Sequence, residues 1–160
     1  LLKDDAYIPW LPQKFSSLVT SARLISTSDD PQPLRDGITR SVGEDSHRWS
    51  GRIGDSVWYE WDKLTFINNV YLVIDSNINA NIQMSHLQPD DQLTSVPPEI
   101  LKDFRIEIKQ ADEWHELTAI TDNYQRLIKI NAYCEASGVR VIPTATWGSD
   151  TVTLYSFYFD

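Results

Sequence analysis

A single cysteine, Cys134, leaves no partner for an internal disulfide in this 160-residue chain. Basic runs are missing too: 14 Lys and Arg stand against 23 Asp and Glu, a formal charge of −9. Phosphate neutralisation needs a basic face, so nucleic acid is not an expected partner. No stretch approaches the roughly 20 apolar residues of a membrane helix, and membrane insertion is not expected. The first ten residues carry Asp4 and Asp5 where a secretory signal needs an apolar run. With no initiator Met, the chain reads as an excised piece of a longer protein. Catalytic signatures are also wanting. There is no GxSxG elbow, no Cys and His nucleophile pattern and no HExxH, and His47, His86 and His115 lie far apart. Without a GxGxxG or other phosphate cradle, FAD has no place in this piece. The acidic pairs Asp29, Asp30 and Asp90, Asp91 fall in turn-rich segments and read as solvated loops rather than acid and base catalysts.

What remains is the composition of one globular domain with one core, 41% hydrophobic and 23% charged. Six Trp and seven Tyr suit both the core of a β-sandwich and a sugar-stacking surface. Residues 1–20 read as a lead-in from an upstream domain, broken by Pro9 and Pro12 around Trp10. Residues 21–160 then supply short strands. Strand patterns fall near Ala22 to Ser26, at Val57 to Trp61, Leu64 to Phe66 and Val70 to Asp75, then at Phe104 to Lys109 and Trp114 to Leu117. Leu127 to Tyr133, Val139 to Ile142 and Val152 to Phe159 follow, with a break at Ser137 and Gly138.

The clearest alternation puts Phe104, Ile106 and Ile108 inward and Arg105, Glu107 and Lys109 toward water. Cys134 shares a face with Ile130 and Ala132 and reads as a small buried hydrophobe. About eight strands at this spacing, with no amphipathic helix of convincing length, predict an all-β, antiparallel sandwich. Between two of them the insertion from Ser76 to Leu101 is too long for a hairpin and reads as a lid, a binding loop or a flap. Its alternating asparagines, Asn77, Asn79 and Asn81, fit a polar edge extension as well as a ligand loop.

The stretch from Leu34 to Trp61 joins a turn at Asp36 and Gly37, a polar loop carrying Arg40, His47, Arg48 and Trp49, and an aromatic strand. Asp36, Gly37, then Trp49, Ser50, then Val57 to Trp61 and Val70 to Asp75 resemble the discoidin or coagulation-factor type C family, also called galactose-binding-domain-like. Lys102 to Lys109 with the following Trp114, and Arg140 to Ile142 with Thr146, Trp147 and Gly148, extend the resemblance over nearly all of the chain. VIDSNIN, from Val73, and NYQR, from Asn123, resemble the version appended to bacterial FAD-dependent oxidoreductases. LLKDDAYIPWLP looks like the tail of that upstream domain.

The resemblance implies a jelly-roll-like sandwich serving as a non-catalytic accessory module of a larger, bacterial enzyme. Such a module binds carbohydrate at one end or docks on the enzyme's own catalytic domain. An extracellular or periplasmic location is expected. The resemblance also implies a structural calcium at Asp36, but Ser156 stands where the family has a second carboxylate, which leaves the ion open.

Sugar binding needs an aromatic face and groups that hydrogen-bond hydroxyls. The candidates are Arg40 and His47 in the first loop, Asn77 and Asn79 in the second, Tyr124 and Arg126 in the third and Trp147 in the fourth. Trp49 reads as core before it reads as a platform, and Arg126 has a second reading as a tie to loop carbonyls.

Overall fold

The computed structural model describes residues 13–76 and 95–160. Asn77 and Asn79, with most of the 76–101 insertion, and residues 1–12 of the lead-in lie outside the described residues. A short helix, α1 (Ser17–Ser21), starts where Ser16 Oγ accepts the Val19 N–H at 3.3 Å. Strands follow as β1 (Arg23–Ser26), β2 (Trp49–Arg52), β3 (Val57–Ile74), β4 (Leu101–Gln110), β5 (Glu113–Ile120), β6 (Leu127–Thr146) and β7 (Thr151–Phe159). All their pairings are antiparallel. No helix among the described residues is long and apolar enough to cross a membrane.

Two long strands build both layers. The first part of β3, Val57 to Glu60, lies between β1 and the second half of β6, which goes on to pair with β4 and so with β5. After a register shift between Glu60 and Thr65, the rest of β3 lies between β7 and the first half of β6, and β7 pairs with β2. A bulge of this kind bends a strand without ending its hydrogen bonding, which lets one strand turn a corner between sheets. The layers meet face to face at Tyr59. Its ring lies 5.1 Å from Phe157 and 5.3 Å from Phe159, and its hydroxyl donates to the Phe157 carbonyl at 2.9 Å. Burial pushes the Tyr59 phenol far above its usual range, with the charge of Arg35 acting the other way.

The described residues thus hold seven strands where the sequence pattern predicts about eight. Val57 to Asp75 reads as three pieces and is one strand to Ile74; Leu127 to Ile142 reads as two and is one strand to Thr146. Gly138 is no break. A Cβ there would lie 2.8 Å from the Tyr59 carbonyl oxygen, so the glycine permits close contact inside a continuous strand.

Trp49 to Arg52, read as the end of a polar loop, is an edge strand, and Trp49 is fully buried with its Nε1 donating to Ser26 Oγ at 2.8 Å. Glu107, expected to face water, is buried opposite Arg140. That guanidinium donates to it at 2.8 Å and stacks over the Trp114 ring at 4.3 Å. A bulge between Ile106 and Glu107 shifts the alternation there. Cys134 is half-buried against the core, and burial raises its thiol pKa.

Candidate functional site

Because β6 turns back at its corner, both of its ends return to the same end of the sandwich, beside Val73 and beside Leu101. Loops before and after these positions are laced together by backbone bonds. Asn123 N–H donates to Lys102 O at 2.9 Å, Trp147 N–H to Ile100 O at 3.2 Å, Ser149 N–H to Pro98 O at 3.1 Å and Ile74 N–H to Arg126 O at 2.9 Å. The corner near Asp62 to Thr65 lies at the other end.

Arg126 gathers three of these loops. Its guanidinium donates to Ile74 O at 3.3 Å, to Ser76 Oγ at 3.0 Å and to Thr39 O, and lies 5.2 Å from the Tyr155 ring. A planar fork suits such divergent acceptors. It brings the Arg40 loop to the Tyr124 loop and to Ser76, the residue before the undescribed Asn77. These bonds tie the loops together. Arg40 is exposed and has no polar side-chain partner among the described residues.

The fourth loop joins through Asn123. Trp147 Nε1 donates to Asn123 O at 2.7 Å, while Asn123 Nδ2 donates to Leu101 O at 2.9 Å and its Oδ1 accepts the Gln125 N–H at 3.1 Å. Trp147 is 36% exposed and the neighbouring Tyr124 69% exposed. Lys102 Nζ lies 4.8 Å from the Trp147 ring centroid and 3.3 Å from Asp122 Oδ1. Asp122 sits at φ 52°, with its N–H held by Asp103 Oδ1 at 2.9 Å. Neither Lys102 nor Asp122 is among the site candidates read from the sequence, because nothing in the sequence brings the two together. Only Asn123, a turn-former ahead of the exposed Tyr124, offered a local signal.

His47 faces inward along its own loop. Its Nδ1 lies 2.6 Å from Asp36 Oδ2, and Asp36 Oδ1 accepts the Ile38 N–H at 2.7 Å. Asp45 accepts the His47 N–H at 3.0 Å. A calcium ion wants about six to eight oxygen donors, carboxylates among them. Both oxygens of Asp36 are engaged by nitrogen, and Ser156 is buried with its Oγ donating to Leu34 O at 3.2 Å. Among the described residues no group of three or more His, Cys, Asp or Glu is placed to hold a metal. The residues present at Asp36 do not fit a calcium ion.

Trp147, with Lys102 over its ring and Asp122 beside that ammonium, and the exposed Tyr124 one residue past Asn123 are aromatic groups that this end presents. No family model matches the chain, and no curated protein matches it. Solved structures do. The family 32 carbohydrate-binding module from Streptococcus pneumoniae EndoD aligns over 91% of this chain and 99% of its own, with a TM-score of 0.64 and 18% identity. The family 32 module of C. perfringens NanJ, in complex with galactose, aligns over 88% and 93%, with a TM-score of 0.61 and 9% identity. GH31 CBM32-2, bound to GalNAc, aligns over 86% and 97%, with a TM-score of 0.65 and 12% identity. At such identities the likeness is one of fold. The chain has the galactose-binding-domain-like β-sandwich fold of the family 32 carbohydrate-binding modules.

Proposed function

We propose that this chain is a non-catalytic carbohydrate-binding module that takes a sugar at the loop end of its sandwich, as an accessory to a larger, bacterial enzyme. The observation that carries this reading is the half-exposed Trp147, its indole edge fastened to Asn123 O beside exposed Tyr124. An indole held by its N–H is a rigid platform for the apolar face of a pyranose, and it stacks with little loss of side-chain entropy. Tyr124, and Arg40 on the loop that Arg126 ties in through Thr39 O, are the hydroxyl partners this reading assigns. Galactose and GalNAc, bound by two of the structural neighbours, are the first ligands to try. An extracellular or periplasmic setting, where glycans are met, goes with this reading. Titration of such sugars followed by tryptophan fluorescence should give a saturable change that Trp147→Ala abolishes. A protein that answers to no sugar would defeat the proposal.

A second reading has its own support. Leu64, Phe66 and Tyr133 are exposed at the corner end, where Phe66 pairs with Glu135 two residues from Tyr133. Clustered apolar side chains of this kind suit docking against another domain, such as an upstream catalytic or FAD-dependent one. Replacing Phe66 and Tyr133 with Ser should then free the module from that domain in the full-length chain and leave sugar binding intact.

A further inference from the structure

The corner end holds a cleft of about 590 Å³, lined by Leu18 and Ala22, in and just after α1, by Arg23 of β1, and by Trp61, Lys63 and Thr65 around the corner of β3. That volume falls within the roughly 300–1,000 Å³ of small-molecule sites. Trp61 stacks on Phe159 at 4.8 Å and 22° and is only 8% exposed. Its Nε1–H is buried with no hydrogen-bond partner among the described residues, and a buried donor left unpaired is costly. We propose that this cleft is a second ligand site, apart from the loop end, and that it takes a small organic carboxylate whose apolar body lies against Leu18, Ala22 and the indole.

The lining leaves donors over, and that selects the ligand's head. Glu60 is already engaged at both oxygens, Oε1 by Trp58 Nε1 at 3.2 Å and Lys109 Nζ at 3.4 Å, and Oε2 by Arg23 at 3.4 Å. Arg23 gives Glu60 one nitrogen and keeps its side chain 66% exposed. Lys63 is exposed with no ion-pair partner among the described residues. Against these two cations stands Asp62, exposed beside Lys63. A carboxylate brings two acceptor oxygens and one negative charge, enough for the indole N–H and one of the cations together. A phosphate would set a second charge near Asp62 and Glu60 in a chain of net charge −9. An ammonium would compete with the cations that Glu60 already holds.

Because the indole nitrogen is buried, the acceptor meets it as the cleft wall gives. Part of that wall is α1, a single turn of five residues, too short to be stiff as a helix by itself. One carboxylate oxygen then turns in to the Trp61 N–H and the other out to Arg23 or Lys63 at the mouth. Nothing at Trp147 takes part, so this site stands or falls separately from the sugar reading.

The test follows the six tryptophan indole N–H signals by proton–nitrogen NMR while 4-phenylbutyrate, its uncharged amide and 4-phenylbutylammonium are titrated in turn. The Trp61 signal, assigned with Trp61→Phe, should move downfield and saturate with 4-phenylbutyrate, as it does when an indole N–H gains an acceptor. The amide should bind about tenfold more weakly, as the loss of one charge-assisted contact allows. Arg23→Gln and Lys63→Gln, both at exposed positions, should each weaken the carboxylate several-fold and leave the amide unchanged, and Trp147→Ala should leave the Trp61 response intact. A Trp61 signal that stays in place at saturating carboxylate would remove the site. Equal binding of the ammonium, or indifference to both charge variants, would overturn the carboxylate preference. A response lost in Trp147→Ala would put the ligand at the loop end instead.

Discussion

At Arg126 a single guanidinium reaches two backbone carbonyls, a hydroxyl and a phenol ring from three segments of the chain. Lysine carries the same charge without the planar fork, so Arg126→Lys should cost about 1–3 kcal/mol in denaturant unfolding, and a change near zero would show the ties to be idle. Asp36 and His47 form a closed pair, one carboxylate oxygen on the imidazole and the other on Ile38 N–H. His47→Ala and Asp36→Ala should each lower stability by about 1–2 kcal/mol, and the double variant by little more than either. Because nitrogen donors fill that carboxylate, a chelator should leave the melting midpoint where it is; a fall would reveal a calcium ion after all. Tyr59 sets an alkaline limit. Its folded pKa is raised by burial above the ordinary 10.0, so its stabilising effect is present below that value and is lost as pH rises beyond it. Tyr59→Phe should unfold more easily at neutral pH, through the lost bond to Phe157 O, yet show a flatter decline above about pH 10.

Among the elements, β3 and β6 carry the architecture, since each belongs to both sheets. Their apolar stretches were legible as strands because Val70, Leu72 and Ile74, or Ile128 and Ile130, alternate plainly. Their continuity was not. The corner of β3 is written around Asp62 and Lys63, polar residues between the Trp61 and Leu64 strand patterns, and only the cross-strand bonds to β6 show that the chain stays paired beyond it. Gly138 invited the same reading at the other long strand, although what it provides is room beside the Tyr59 carbonyl. Gly138→Ala should therefore destabilise by about 1–3 kcal/mol, as overpacking does, whereas a flexible break would tolerate the methyl group. The short strand at Trp49 escaped the pattern because Ser50, Gly51 and Arg52 offer no apolar alternation at all.

For the molecule as a whole, the folding back of β6 separates two ends with different chemistry. One collects polar loops, Trp147 and Tyr124; the other exposes Leu64, Phe66 and Tyr133. The candidates at the first end were visible in sequence as residue types, since aromatic and Asn-rich loops are where such ledges are built. Their grouping was not visible, because Lys102, Asp122 and Trp147 meet only through the registers of β4 with β5 and with β6. That division of ends makes the central claim specific in place as well as in kind. A glycan array probed in parallel with the native chain and with Trp147→Ala, at matched thermal stability, tests it most directly. The account predicts a defined set of glycans held by the native chain and released by the variant; no bound glycan, or the same set retained without Trp147, would contradict it.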